Sequence, residues 1–454
     1  MFVFQRICLM MSFRVFKGRD YALLRRNLYG SKTAPKLWYK CLIECLTTLG
    51  FVLVAGHPYL FIRKTFVNGM QIIVVIAIFA DDLLVTGNDL AQIELVKQSV
   101  ATRFALTDEG KLEYYLGGEL EYKDQNTLVL HQRGYIKKLL ERFGMVDCNP
   151  KATPLDVDLN LSLLDCPDEV NTELHSKYRE LIGSLMFLYQ WTRPDLGYAV
   201  TFLSRYLHKP GVKHLTQAKN VLRYLKGTQE YGIQYSRDLN RLRLRNQELN
   251  TLYALSNSDF GGCSDTARAT SGNVILMNAG AIAWYSGRQT TTALCTAMAE
   301  TIALAKVVVK VKYLRAILFD LQCRQVEPTY IDSTIVWVDN TATLAVANGN
   351  DFTHETVKHV TVKVRFLQEC VQRKIVLLAS IRTHQNIADI LTKQYAGPQF
   401  RMYRNYILGI SDTVDLRVSA MVAYVSRAST RRRRRQQRRK SILARQECDG
   451  QVKF

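Results

Sequence analysis

The sequence predicts an α+β region in its first third, then a helical segment, then a separate α/β domain. Three observations predict this order. Residues 73–89, "IVVIAIFADDLLVTGND", read as strand, tight turn and strand. Residues 178–228 carry three helical patterns in succession, and from residue 252 onward short strands alternate with helices.

The first predicted element is an amphipathic helix that follows "YGSKTAPKLWY" and ends at Gly50. Its apolar residues recur at helical spacing and are Leu37, Cys41, Leu42, Cys45, Leu46 and Leu49. We therefore expect one face of this helix to be buried.

The second element is a hairpin that carries two adjacent acids at its tip. Asp81 and Asp82 follow eight residues without a charge and precede a second apolar run. One interpretation is that they are ordinary solvated turn residues. The other is that the two carboxylates bind hard divalent cations, as phosphoryl-transfer chemistry requires.

After the hairpin, the pattern predicts a helix over "LAQIELVKQSVATRF", a strand pair over "LEYYLGGELEY" and "NTLVLHQ", and a basic helix over "GYIKKLLERFGM". Residues 147–174 contain Pro and Asp with little periodicity, which is typical of a linker.

The last region predicts strands near Leu252–Ser256, Asn273–Met277 and Ala281–Tyr285. A helix from Thr296 into the 310s, a strand over "TIVWVDN" and a final helix near "NIADILTK" follow. Carboxylates lie at the strand ends and on the helices of this predicted α/β domain.

Composition bounds the function classes. With 454 residues, 48% of them hydrophobic, the chain is long enough for two or three domains with real cores. The formal net charge is +21, and Ser426 to Arg445 alone carry ten basic residues and no acid. Such a charge suits a polyanionic partner.

Cysteine usage and hydropathy indicate a compartment. The ten cysteines are spread along the chain without a Cys-x-x-Cys pair, which favours reduced thiols in an intracellular protein. The longest apolar run is interrupted at Asp81 before it reaches the length of a membrane helix. We expect a location in the cytoplasm or nucleus, with no secretion or membrane segment.

Ten sequence motifs occur in the order found in the Pol polyprotein of copia-type LTR retrotransposons, which the chain resembles from about residue 22 to about residue 405. They are "LYGSKTAPKLWY", "FADDLLVTGND", "LEYYLGGELEY", "GYIKKLLERFGM", "YRELIGSLMFLYQWTRPDLGYAV", "VLRYLKGT", "ATSGNVILM", "IAWYSGRQ", "VDNTATLAVA" and "NIADILTKQ".

The resemblance implies a domain order. Residues 22–150 would be a partial reverse transcriptase palm and thumb, 151–250 a linker and helical connection, and 251–405 a ribonuclease H-like domain. It leaves 1–21 as an unassigned edge and 406–454 as a basic tail, which we expect to be disordered.

For the polymerase part, "FADD" resembles the family's Tyr-x-Asp-Asp motif, which implies that Asp81 and Asp82 bind two magnesium ions. The family places a third carboxylate upstream of "LYG", and nothing similar precedes Tyr29. We therefore expect no polymerisation by this chain alone. The resemblance also implies that the basic helix, through Lys137, Lys138 and Arg142, contacts backbone phosphates.

For the ribonuclease H part, the resemblance assigns three of four metal-binding acids to Glu300, Asp339 and Asp389. The fourth position falls on Asn257, whose amide has a carbonyl oxygen but no charge. Asp259, two residues on, is an alternative ligand. The implied cofactor is Mg²⁺ or Mn²⁺, two ions per site.

Two functions stay open at this point. The first is a copia-type reverse transcriptase and ribonuclease H fragment that acts on RNA:DNA hybrids by two-metal chemistry. The second is a non-catalytic relic of a transposon that binds RNA, DNA or their hybrid. Other Pol-derived chains are further expected partners, and a membrane is not.

Overall fold

A computed structural model describes residues 31–54, 56–157, 159–238, 249–321, 333–349 and 360–410, together with the backbone of three strands in the first 30 residues. The chain divides into two compact units. One contains residues 1–116 and 316–325, and the other contains residues 117–315 and 326–454. The predicted basic tail, beyond Ile410, lies outside the described residues.

The first unit is built on a six-stranded sheet with the order β4-β5-β6-β7-β1-β8. Its strands are β1 (Phe2–Cys8), β4 (Val52–Leu53), β5 (Leu60–Val67), β6 (Met70–Phe79), β7 (Asp82–Gly87) and β8 (Ala105–Lys111). Two further strands, β2 (Phe13–Val15) and β3 (Ala22–Leu24), pair with each other, and β9 (Tyr114–Tyr115) follows β8.

Two helices cover this sheet, α1 (Ala34–Thr48) and α2 (Leu90–Ala101). Alternate residues of β6 are buried, because side chains of a strand point to opposite faces. They join the buried stripes of α1 and α2 in one core, which includes Leu42, Ile76 and Val96. The predicted helix ending at Gly50 is confirmed, and Gly50 has a φ of +81° just beyond it.

The second unit begins with an antiparallel ladder and four helices. The strands are β10 (Gly118–Tyr122), β11 (Thr127–His131) and β12 (Ile233–Ser236). The helices are α3 (Arg133–Arg142), α4 (Thr172–Trp191), α5 (Gly197–Leu203) and α6 (Val212–Lys226). These elements confirm the predicted strand pair, the basic helix and the three helical patterns that follow the linker.

A five-stranded sheet with the order β15-β14-β13-β16-β17 completes the second unit. Its strands are β13 (Tyr253–Asp259), β14 (Thr270–Met277), β15 (Gly280–Arg288), β16 (Thr334–Val338) and β17 (Val376–Ser380). The first three pair antiparallel, whereas β16 and β17 run parallel to β13. The helices here are α7 (Thr296–Asp320), α8 (Thr341–Ala347), α9 (Thr361–Gln372) and α10 (Gly397–Ile407).

The edge strand β15 lies against α4 and α5. The indole Nε1 of Trp284 donates to the carbonyl of Tyr189 at 2.8 Å, and the Tyr189 hydroxyl accepts from the backbone nitrogen of Ser286 at 2.9 Å. The Thr201 and Ser286 hydroxyls are 2.9 Å apart. The edge of the sheet is thus closed by side chains of the helical segment.

One hydrophobic core joins the helical segment to the five-stranded sheet. At its centre the guanidinium of Arg193 contacts both oxygens of Asp195, at 2.9 and 2.7 Å. Tyr224 donates to the same carboxylate at 2.5 Å. Because this core crosses residue 250, the predicted boundaries at 150 and 250 do not coincide with the edges of the compact units, and the domain limits stay predictions.

The predicted helix at "NIADILTK" is present as a 3₁₀ helix, but it is not the final one, because α10 follows it. Residues Ile387–Leu391 form a 3₁₀ helix, in which Asp389 donates its backbone N–H to the carbonyl of Asn386 at 3.1 Å. Strand β17 and the helices α8, α9 and α10 were not predicted. Among the described residues, no helix combines the length and the apolar character needed to cross a membrane.

Candidate functional site

The first group of predicted site residues lies at the tip of the β6–β7 hairpin. Phe79 and Asp82 form its last pair, so Ala80 and Asp81 make a two-residue turn. Ala80 has a φ of +49°, since short hairpin turns need positive φ values. Both acids are half-buried, and Phe79 is exposed. The structure therefore brings Asp81 and Asp82 together at the end of a rigid sheet.

The surroundings of Asp82 penalise its charge. Burial, and secondly the negative charge of Asp81, raise the pKa of Asp82. Burial, and secondly Asp82, raise the pKa of the Tyr115 phenol.

The neighbour of β7 on its other side adds no acid to this tip. Strand β1 pairs with β7 in the register Phe2 to Val85, Val3 to Leu84 and Phe4 to Leu83. Its sequence, "FVFQRIC", contains no Asp or Glu.

The second group lies at one edge of the five-stranded sheet. Asn257 is near the end of β13, and Asp339 directly follows β16. These strands are parallel neighbours, so their carboxyl ends meet at the same edge. Glu300 reaches this edge from α7 and Asp389 from the 3₁₀ helix. Four residues from distant parts of the sequence thus converge.

Asn257 acts as a hydrogen-bond donor in this cluster. Its Nδ2 donates to Oδ1 of Asp389, and its Oδ1 accepts the backbone N–H of Ser258 at 2.8 Å. The opposite orientation of the amide would place its oxygen against a carboxylate oxygen. Hence Asn257 turns its N–H groups, and not its carbonyl, towards Asp389.

Asp389 is surrounded by donors from the protein. Oδ2 contacts the Lys393 ammonium at 2.9 Å and accepts from the Tyr395 hydroxyl. The Thr392 hydroxyl lies 3.1 Å from Oδ1 and 2.9 Å from the backbone carbonyl of Asp389, and its single proton serves one of them at a time. Oδ2 therefore has two donors, whereas Oδ1 has Asn257 and shares the Thr392 hydroxyl with the backbone.

Glu300 is almost fully buried, with 5% of its surface exposed. Its Oε1 accepts the backbone N–H of Ser258 at 2.9 Å. Its Oε2 is buried and has no hydrogen-bond partner among the described residues. Burial, and then the charge of Asp339, raise the pKa of Glu300 to about 9. The side chain is therefore protonated at neutral pH.

The two remaining acids are Asp339 and Asp259. Burial, and secondly the charge of Asp389, raise the pKa of Asp339, although hydrogen bonds from the Thr383 and Asn386 side chains act in the opposite direction. Asp259 turns towards the loop after β13, because its Oδ2 lies only 1.6 Å from the position of a Cβ on Gly262. Burial also raises the pKa of Asp259.

The arrangement does not fit a divalent ion. Within the ranges that the structure describes, no group of three or more His, Cys, Asp or Glu side chains is placed to hold one. Asn257 presents donors, and both oxygens of Asp389 are already engaged. A magnesium ion would need those oxygens as ligands.

Two residues that bind Asp389, Lys393 and Tyr395, were not among the predicted site residues. Lys393 is four residues after Asp389, a spacing that the sequence shows but that is informative only once the local backbone is known. The predicted nucleic-acid contacts lie on α3. Lys137 and Lys138 are exposed there, and Arg142 forms an ion pair with Glu180.

Comparison with known proteins gives one family match. The family described as "Reverse transcriptase (RNA-dependent DNA polymerase)" matches residues 17–157. That range contains the hairpin, its two acids and α3.

Curated relatives match a longer part of the chain. The Retrovirus-related Pol polyprotein from transposon RE1 of Arabidopsis thaliana is 31% identical over 386 residues, which are 85% of this chain and 25% of that protein. The Pol polyprotein from transposon TNT 1-94 of Nicotiana tabacum is 28% identical over 85% of this chain and 28% of its own length. This chain thus spans about a quarter of these relatives.

Two further similarities cover less of the chain. An uncharacterized mitochondrial protein of Arabidopsis thaliana is 32% identical over 230 residues, which are 50% of this chain and 89% of that protein. Among solved structures, LC11-RNase H1 isolated from compost covers 32% of this chain and 94% of its own, with 18% identity and a TM-score of 0.25.

Proposed function

The chain belongs to the family of Pol polyproteins of copia-type transposons, and from this premise we propose that it is a reverse transcriptase and ribonuclease H segment that binds RNA:DNA hybrids. In this proposal the first unit and α3 correspond to part of the palm and thumb. The helices α4 to α6 correspond to the connection, and the five-stranded sheet with its helices corresponds to the ribonuclease H-like domain.

The observation that carries the proposal is the convergence at the edge of the five-stranded sheet. Asn257, Glu300, Asp339 and Asp389 meet there from β13, α7, β16 and a 3₁₀ helix. A hybrid-cleaving site of this class uses carboxylates to hold metal ions around the scissile phosphate. The residue types and their placement suit that ancestry.

The same site supports binding of a hybrid better than its cleavage. An amide at position 257 contributes no negative charge, and it occupies one oxygen of Asp389 with a donated hydrogen bond. Divalent ions are held mainly by charged oxygen ligands. We therefore propose that this chain does not cleave hybrids efficiently until position 257 is changed.

For the polymerase, we propose Asp81 and Asp82 as two of the acids that bind Mg²⁺ or Mn²⁺. Neighbouring strand β1 brings no third acid to the tip. We expect no templated incorporation of nucleotides by this chain alone, and a third acid from another Pol-derived chain would be required.

Contacts to the nucleic acid backbone are proposed for the exposed Lys137 and Lys138 of α3. The net charge of +21 favours a polyanionic partner in general. Binding that depends on phosphate contacts weakens steeply as the salt concentration rises.

The second candidate function is nucleic-acid binding without any chemistry. The hydrogen bonding of Asp389 favours it, because both carboxylate oxygens are already engaged by donors of the protein that an ion would have to displace. The two functions differ in what a carboxylate at position 257 would do.

The experiment is cleavage of a labelled RNA:DNA hybrid in Mg²⁺ and in Mn²⁺. The unaltered chain is compared with Asn257→Asp and with Asn257→Asp combined with Glu300→Gln, and hybrid binding is measured in parallel. We expect binding without cleavage in the unaltered chain, cleavage by Asn257→Asp, and no cleavage by the double variant.

Two results would change the conclusion. Cleavage by the unaltered chain would mean that the amide of Asn257, or the carboxylate of Asp259, is sufficient. If Asn257→Asp binds the hybrid but does not cleave it, the second function, nucleic-acid binding without catalysis, is favoured. Templated dNTP incorporation in a primer-extension assay would contradict the proposed inactivity of the polymerase.

A further inference from the structure

A cleft of about 540 Å³ lies at the edge of the five-stranded sheet, between β15, the helices α4 and α5, and α7. Its lining includes Tyr189, Gln190, Trp284, Tyr285, Ser286 and Lys310. The volume is in the range of clefts that bind small ligands. The cleft is separate from the acid cluster, and the proposed function does not use it.

Two lysines one helical turn apart on α7 reach β15. Lys310 lines the cleft, and Lys306 contacts the lining residue Tyr285. The Lys306 ammonium is 3.1 Å from the Tyr285 hydroxyl and 4.4 Å from the centroid of its ring. The Lys310 ammonium donates to the carbonyl of Trp284 at 3.2 Å. Both acceptors are neutral, and among the described residues no ion pair joins either lysine to a carboxylate. Burial lowers the pKa of Lys310, and no acid opposes that effect.

The parts of these elements that lie beside the cleft contain no acid. Asp and Glu are absent from residues 181–191 of α4, 197–203 of α5, 280–288 of β15 and 301–319 of α7. The last of these segments carries four basic residues, Lys306, Lys310, Lys312 and Arg315. A concave surface with charge of one sign concentrates the electric field, so this cleft attracts anions.

The cleft is close to the acid cluster along the sheet. Ser286 pairs with Gly272, and Gly272 pairs with Asn257. Two strand spacings separate Ser286 from Asn257, which is about 10 Å. The backbone positions of the two sites are therefore close, although Thr392 and Ala388 cover Gly272 between them.

We propose that the cleft binds a single-stranded end that extends from a hybrid, an inference that rests on the proposed function. Lys306 and Lys310 contact phosphates of that end. Trp284 and Tyr285 provide aromatic rings, which can stack with bases whatever their sequence. The combination of aromatic side chains with uncompensated lysines is the chemistry used for binding single strands.

The test measures fluorescence anisotropy with three probes: a blunt RNA:DNA hybrid, the same hybrid with a short single-stranded extension, and the single strand alone. The full chain is compared with Lys306→Gln combined with Lys310→Gln. Glutamine keeps a donor for the Trp284 carbonyl but removes the charge. A matched control, Lys64→Gln combined with Lys177→Gln, removes two exposed lysines elsewhere, and thermal melting checks that all variants fold.

We expect the extension to strengthen binding to the unaltered chain, and we expect the cleft variant to lose that gain, about tenfold in affinity. The dependence of log affinity on log salt for the single strand should fall by about 1.4, because each phosphate contact contributes about 0.7. The control variant should keep the gain from the extension.

An extension that adds no affinity to the unaltered chain, or a cleft variant that keeps the full gain, would overturn the proposal. Competition by a mononucleotide at the same concentration as the single strand would overturn it in favour of free nucleotides. Failure of the blunt hybrid to bind, with lysine-dependent binding of the single strand, would contradict the proposed function and leave the cleft assignment standing.

Discussion

The two acid-bearing regions of this protein reach their geometry in opposite ways. Asp81 and Asp82 are neighbours in sequence and lie together because a two-residue turn places them at a strand end. Asn257 and Asp389 are separated by 132 positions and meet only because the sheet and a 3₁₀ helix bring them together. The hairpin acids are half-buried, whereas Glu300 and Asp389 are buried almost completely.

The difference shows what enclosure does to a carboxylate. At the hairpin the pKa of Asp82 is raised, but water still reaches both acids. At the sheet edge the protein itself must satisfy each oxygen, and it does so for Asp389 mainly with Asn257, Lys393 and Tyr395. Glu300 has a donor for only one of its two oxygens, and its pKa is raised to about 9.

The largest expected effect is the pH dependence of stability. Glu300 has a folded pKa near 9, against an ordinary value of 4.5, so the folded state keeps a proton that the unfolded state releases. The free energy of unfolding should therefore fall as pH rises from about 4.5 to 9, by at most about 1.4 kcal/mol per pH unit, or up to about 4 kcal/mol between pH 5 and 8. Thermal melting at several pH values measures this change.

The control for this effect is Glu300→Gln, which cannot release a proton and should flatten the pH profile over that range. Asp82→Asn at the hairpin should leave the profile steep, because Asp82 is half-exposed. A profile of the same slope in the unaltered chain and in Glu300→Gln would show that Glu300 ionises normally and that the contrast between the two regions is wrong.

The second effect is the cost of restoring a carboxylate at position 257. Asn257→Asp removes a donor to Asp389 and adds a like charge in a buried place, so stability without divalent ions should fall by about 3 kcal/mol. Magnesium should recover part of this loss if the restored acid binds it. Melting temperatures in EDTA and in Mg²⁺ measure both changes.

The comparison variant for this prediction is Asp81→Asn in the hairpin. It should alter stability by no more than about 0.5 kcal/mol in either buffer, as a surface substitution does. If Asn257→Asp melts at the temperature of the unaltered chain in EDTA, the hydrogen bond to Asp389 does not stabilise the fold.

The smallest effect concerns packing beneath the acid cluster. A Cβ on Gly272 would lie 2.6 Å from Cγ2 of Thr392 and 2.7 Å from the carbonyl oxygen of Ala388. Gly272→Ala should therefore cost about 2 kcal/mol by overpacking. Gly183→Ala in the interior of α4, where nothing lies within 4 Å, should instead stabilise by about 0.5 to 1 kcal/mol. Denaturant unfolding of both variants measures the difference, and equal stability would contradict the tight fit of the 3₁₀ helix on β14.

Local patterns made the first region predictable. Each predicted element here depends on residues within a few positions of one another, and the structure contains all of them. They are the apolar alternation of β6, the turn at Ala80 and Asp81, and the capped helix α2. The sequence motifs also predicted which residues would lie near Asp389. They did not predict that Lys393 and Tyr395 would bind it, because that depends on the 3₁₀ geometry that the predicted helix adopts.

Non-local effects explain the other differences. Strand β17 pairs parallel with β16 at the other edge of the sheet, yet it is only five residues long and lacks a turn signal of its own. The orientation of Asp259 depends on the absence of a Cβ at Gly262, which a sequence shows only after the loop is known. Likewise, the donor role of the Asn257 amide follows from a partner that is distant in sequence.

The closure of strand β15 has a consequence for how copies of this protein behave in concentrated solution. An open strand edge is a template on which another chain can add a strand, and repeated addition leads to aggregates. On the outward edge of β15, the Tyr189 hydroxyl accepts the N–H of Ser286. The Lys310 ammonium donates to the carbonyl of Trp284. Helices α4 and α7 therefore protect this part of β15 from edge-to-edge association with another chain.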